Sequence, residues 1–141
     1  MNVLIDTNIL LDIMLEREPF VEPAEQVFEV AKNTDIDLFM SATTITDLYY
    51  IARKGKGHAQ TLALIEDLLQ CVGVVTVDKA VIFHALHSCL PDFEDAIQEG
   101  AAKQANISII VTRNGADFKQ SDLDIYPPEL FVARYGKSLE G

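Results

Sequence analysis

The chain has no tryptophan, only two cysteines, and half as many basic as acidic side chains, with 11 Lys and Arg against 22 Asp and Glu. No apolar run approaches the roughly 20 residues that a membrane helix needs. Asp6 and Asp12 interrupt the apolar opening stretch and no basic segment precedes it, which argues against a signal peptide. A cytoplasmic protein that does not enter a membrane is the expectation. Cys71 and Cys89 lie within or beside amphipathic helical segments and lack the spacing of a metal site, so buried free thiols are expected rather than a disulfide. Of the histidines His58, His84 and His87, the last two stand three apart on one helical segment, but no Cys or third His accompanies them. That pattern argues against zinc. The net charge of −11 opposes long-range attraction to nucleic acid, whose binding draws on phosphate neutralisation. Three possibilities follow: a substrate that is not a polyanion, acid focused in a metal site beside a local basic patch, or a basic partner chain.

What is present is an ordinary globular composition, 49% hydrophobic over 141 residues, long enough to bury a core. No internal repeat or low-complexity stretch divides it, and residues 1–141 read as one domain. Residues 2–5 predict a short buried strand and Thr7 to about Glu16 a helix. A second helix starts around Pro19 and Pro23, with Ala24, Val27, Phe28 and Ala31 on one face. Ile36 to Met40 predicts a second strand, and Ser41 an N-cap for a helix carrying Ile45, Leu48, Tyr49 and Ala52. Gly55-Lys56-Gly57 predicts a break before a fourth helix through Leu62, Ile65 and Leu69. Gly73 to Val77 follows as a strand, then a helix capped by Asp78. A small-residue helix runs from Phe93 to Ala105, and Ile107 to Thr112 is the clearest strand. Leu123 to Tyr126 predicts an edge strand, and Pro127-Pro128 opens a final helix reaching Tyr135-Gly136. Apolar strands alternating with helices predict a single three-layer α/β/α domain around a central parallel sheet. Right-handed crossovers then put all strand carboxyl ends on one edge.

Four carboxylates fall near that edge. Asp6 ends strand one, Asp47 lies two turns into the helix leaving strand two, Asp95 is in the first turn of the helix feeding strand four, and Asp117 sits just past strand four. Two carboxylates about 5 Å apart repel by roughly 3 kcal/mol at an effective dielectric near 20, so a cluster of four is tolerated mainly around a cation. An all-oxygen donor set selects Mg²⁺ or Mn²⁺ over zinc, and such an ion suits phosphodiester hydrolysis. Asp92 shares a helical face with Asp95 and is also an N-cap candidate. Glu94 is expected to point elsewhere and Glu99 to lie on the surface. Asn8, Ser41 and Thr112 either orient the acids or act as ordinary caps. Arg53, Lys54 and Lys56 with His58 form the dense basic cluster. They either hold phosphates beside Tyr49 and Tyr50 or complement a helix C-terminus. Arg113, next to the acidic edge, is a separate candidate for a phosphate contact.

These residues resemble a PIN domain over nearly the whole chain. Asp6-Thr7-Asn8 is similar to the family's opening motif and Ser41 to Leu48 to its second block. Asp95-Ala96 is similar to the third, and Thr112-Arg113-Asn114 to Asp117-Phe118 to the fourth. The resemblance implies acids of strands one and four flanking a switch point. It further implies Mg²⁺- or Mn²⁺-dependent endonucleolytic cleavage of RNA with Asp6, Asp47, Asp95 and Asp117 as the acidic quartet. It also implies the toxin half of a toxin–antitoxin pair, often a homodimer with an antitoxin segment over the active site. One departure is Asp47, where the second block usually has Glu. That shorter acid and the net charge keep open a PIN-like module acting through protein or RNA binding alone. A phospho-acceptor receiver domain needs paired acids after strand one and a Lys after strand five, and a haloacid-dehalogenase-type phosphatase needs a second Asp where Asn8 stands. Neither pattern is met.

Overall fold

The computed structural model describes residues 1–136. The elements run β1 (Asn2–Ile5), α1 (Thr7–Met14), α2 (Val21–Lys32), β2 (Asp37–Ser41), α3 (Ala42–Leu69), β3 (Val72–Val75), α4 (Lys79–Leu86), α5 (Phe93–Gln104), β4 (Ile109–Val111), β5 (Asp124–Tyr126) and α6 (Pro128–Tyr135), with a short 3-10 turn at Gly115–Phe118. The five strands form one sheet in the order β3-β2-β1-β4-β5, and every pairing is parallel. The chain builds outward from β1 to β3, then crosses back to lay β4 on the other side of β1. The order therefore reverses between β1 and β4, where ligands gather in open α/β sheets.

Alternation along each strand feeds two cores. Val3 and Ile5 of β1, with Ile109 and Val111 of β4, pack against Ile9 and Leu10 of α1, Val27 of α2, Leu48 of α3 and Phe131 of α6. Leu4 and Ile110 face the opposite way, onto Val81 and Ala85 of α4 and Ala96 and Ala101 of α5. A strand buried on both faces has no use for alternating polar residues, which explains the unbroken apolar runs. The small residues of α5 admit close approach. A Cβ at Gly100 would come within 2.9 Å of the His84 ring on α4.

The break expected at Gly55-Lys56-Gly57 is found at Gly57 (φ 79°, ψ 170°), whose non-helical backbone separates two helical segments of α3 at a kink. Two expectations shift. The strand expected at Gly73 to Val77 begins and ends earlier, at Val72–Val75. Cys71 and Cys89 are exposed, not buried. Both fall in the turns that follow α3 and α4, outside the apolar faces of those helices. Among the described residues no helix is long and apolar enough to cross a membrane.

The Gly57 conformation belongs to a region that only glycine occupies readily, so Gly57→Ala should cost about 1–3 kcal/mol in urea unfolding. Gly55, two residues earlier, has an ordinary φ and nothing within 4 Å of its would-be Cβ. Gly55→Ala should instead stabilise by about 0.5–1 kcal/mol.

Candidate active site

Asp6 stands one residue past the Ile5–Val111 pair, at the carboxyl end of β1 and at the N-cap of α1. Its carboxylate is buried and accepts four hydrogen bonds. Oδ1 takes the Thr7 backbone N–H at 2.7 Å and Gln98 Nε2 at 2.8 Å. Oδ2 takes Thr112 Oγ1 at 2.6 Å and Asn8 Nδ2 at 3.2 Å. Each oxygen thus carries two hydrogen bonds. The donors come from α1, from α5 and from the residue after β4, so three elements converge on one group. Thr112 and Asn8 thus orient Asp6. Ser41 caps α3 without a side-chain cap bond; its hydroxyl instead meets Thr43 and Thr44, and Thr44 meets Thr7 across α1.

Asp95 is half-buried on the first turn of α5. Burial, and then the charges of Asp6, Asp92 and Asp117, push its carboxyl up to about 7. Each of those three acids is therefore close enough to act on Asp95. Asp117 is carried by the 3-10 turn, whose next residue, Phe118, is fully buried and pins the segment to the core. Asp92 caps α5 by accepting from Asp95 N–H at 2.9 Å, so its cap role is realised. Glu94, expected to point away, instead shares a hydrogen bond with Asp47. That contact first, then desolvation and the charges of Asp47, Asp92 and Asp95, push Glu94 up to about 7. The turn of α5 after its cap thus brings Glu94 across to the helix carrying Asp47.

Two other acids are handled differently. Asp12 has no exposed side-chain surface, yet it holds Arg113 through two contacts, 2.7 Å from Nε and 3.1 Å from Nη2, with Arg17 at 3.8 Å. Arg113 also stacks on Phe20, 3.8 Å from the ring centre. Its guanidinium therefore ties the loop after β4 to α1 rather than standing free for a phosphate. Glu99 is buried rather than on the surface, paired with His84 at 3.2 Å and Lys103 at 4.0 Å. Arg53 lies over the rings of Tyr49 and Tyr50, and Lys54 is exposed on the same helix. Gln98 and Asp12 carried no motif signal. The available hint was a polar residue on an otherwise apolar or small-residue helix face.

Among the described residues no three His, Cys, Asp or Glu groups stand ready-made at the spacing of a metal centre. The donor chemistry nevertheless fits a hard divalent cation. Oxygen ligands converge, and among the described residues none of Asp6, Asp47, Asp95 or Asp117 has a salt bridge. Mg²⁺ is commonly held by one or two carboxylates and completed by water. A buried amide oxygen, Gln98 Oε1, also lies without a donor on the side chain that touches Asp6, an arrangement that ordinarily costs about 1–3 kcal/mol.

The sheet and its acid-lined switch point define a class of small α/β nuclease-like domains. A PIN domain family model matches residues 2–116, and the chain belongs to the PIN domain family. Ribonuclease VapC1 of Aquifex aeolicus (strain VF5) is 26% identical over 137 residues, 94% of either chain. Among solved structures, VapBC-1 from nontypeable Haemophilus influenzae superposes with a TM-score of 0.69 at 20% identity, over 92% of this chain and 99% of that one. A toxin–antitoxin complex from Klebsiella pneumoniae gives 0.68 at 19% identity, over 89% and 97%. At these identities the structures establish the shared fold.

Two outcomes test this geometry. Removing Arg113 strands a buried carboxylate, so Arg113→Met should cost about 3 kcal/mol in urea unfolding, whereas Arg17→Met, at the exposed end of the cluster, should cost under about 1 kcal/mol. In metal-free protein, Asp95 and Glu94 keep protons in the folded state that the unfolded chain releases from about pH 4 upward. Their contribution is full below that pH and lost as pH rises towards about 7, so the wild-type melting temperature should fall across the window. Asp95→Asn should flatten the fall, and identical slopes would contradict the assignment.

Proposed function

We propose that this protein is a Mg²⁺- or Mn²⁺-dependent endoribonuclease and the toxin component of a toxin–antitoxin pair. The observation that carries the reading is the convergence of uncompensated acids on an Asp6 locked by four donors at the β1–β4 switch point. Asp6, Asp95 and Asp117 would hold the cation, and Asp47 completes the acidic quartet from α3. A bound divalent ion supplies an activated water and neutralises charge on the departing oxygen. The chain's own residues do the rest. Asn8 and Thr112 fix the orientation of Asp6, and the 3-10 turn presents Asp117. In the overall hydrolysis, water's hydroxyl joins phosphorus, one P–O bond breaks, and the departing ribose oxygen takes the proton.

Arg53 and Lys54, beside Tyr49 and Tyr50, are proposed to hold the RNA, by phosphate contact and base stacking. Arg113 contributes to the site through Asp12. The Aquifex relative is a ribonuclease and the Klebsiella structure a toxin–antitoxin complex, which supports an RNA substrate and an antitoxin protein as partner. A charge of −11 favours a basic segment in such a partner. We further propose a homodimer acting in the cytoplasm. The second reading, a PIN-like module acting through binding alone, is favoured by Asp47 standing where the family's second block usually has Glu.

A cleavage assay with Mn²⁺ on structured and unstructured RNA separates the two. Wild type should cleave, EDTA should stop it, and Asp6→Asn should lower the rate by about 100-fold or more. Equal residual activity in wild type and Asp6→Asn would end the enzyme reading.

A further inference from the structure

Gln98 lies on α5, three residues after Asp95, and is only 2% exposed. Its amide contacts Asp6 Oδ1 at 2.8 Å. A carboxylate only accepts hydrogen bonds, so the amide nitrogen must face Asp6 and the amide oxygen must face away from it. That oxygen is buried and has no donor among the described residues. Buried acceptors are almost always supplied by protein or bound water. If bridging to Asp6 were the side chain's whole task, half of the amide would be a burden at this position.

We propose that Gln98 is a positioning residue for the cation site, an inference that rests on the metal-dependent reading above. Its Nε2 fixes Oδ1 of Asp6, and its Oε1 accepts a hydrogen bond from a water that hydrates the divalent ion. Mg²⁺ and Mn²⁺ bound by few carboxylates keep several waters, and each such water is a donor that needs an acceptor. Gln98 extends the acceptor surface of the acidic cleft without adding a fifth negative charge beside Asp6. A neutral amide is the side chain that meets both demands, since it donates at one atom and accepts at the other.

Titration of the folded chain with Mn²⁺ alone, followed by calorimetry and by the EPR signal of the free ion, tests this without any RNA. Gln98→Met keeps the side-chain length and removes both polar atoms, while Gln98→Glu keeps an acceptor. Partners around metal ligands typically contribute 10–100-fold in affinity. Gln98→Met should therefore bind Mn²⁺ about 10-fold or more weakly, and Gln98→Glu, which loses the Nε2 donor but keeps an acceptor, more tightly than Gln98→Met. Wild-type affinity in Gln98→Met would overturn the proposal while leaving the metal reading intact. Equal weakening in both variants would overturn the acceptor role of Oε1. Absence of Mn²⁺ binding to wild type would overturn the metal reading and this inference with it. Should Gln98→Met not fold, Gln98→Leu takes its place in the comparison with the same expected and overturning results.

Discussion

The Asp6 carboxylate and its four donors are the constraint on which the site depends. Taking a carboxylate out of water costs several kcal/mol, and here hydrogen bonds offset it, each worth about 1.5–3 kcal/mol to a charged acceptor. The donors come from places that only the fold brings together. Thr7 and Asn8 follow Asp6 in sequence, Thr112 stands beside it because β4 pairs with β1, and Gln98 reaches it because α5 packs on the opposite layer. Parallel strand order puts the reversal between β1 and β4, and the most heavily supported acid sits there. The same contacts set the direction of the carboxylate, so fold and site geometry are specified together.

The treatment of the remaining acids separates structure from function. Asp12 and Glu99 are buried and paired with basic side chains, Asp12 with Arg113 and Arg17, Glu99 with His84 and Lys103. Asp78 and Asp92 are spent on helix caps. Asp95 and Glu94 have no such compensation; burial first for Asp95 and the Asp47 contact first for Glu94, then the surrounding carboxylates, push each towards neutrality. A marginally stable domain gains nothing from this arrangement by itself. Where perturbed groups cluster at a switch-point cleft, a functional site is the physical expectation.

The sheet, its parallel sense and the positions of Asp6, Asp47, Asp95 and Asp117 along the chain were legible because strand ends and caps are local signals. The strand run at Ile107 to Thr112 and the cap at Asp78 each appear within a few residues of their expected places. The missed side-chain contacts depend on long-range packing. Glu94 was set aside by its local position, yet the fold brings it into contact with Asp47 on α3. Arg113 reads as a free cation beside an acidic edge until α1 places Asp12 and Phe20 against it, some hundred residues away in sequence. Gln98 has no motif, and its significance arises only where Asp6 meets α5. The cysteines failed for the opposite reason. Helical periodicity extended into turns that the backbone does not continue, which left both thiols outside.

The central claim is that Asp6, Asp95 and Asp117 form one cation site. The most direct measurement is anomalous scattering from a crystal of this protein soaked in millimolar Mn²⁺. The account predicts an anomalous peak within coordination distance of carboxylate oxygens from those three residues. Density without a peak among them, under conditions where Mn²⁺ binds elsewhere in the crystal, would contradict it.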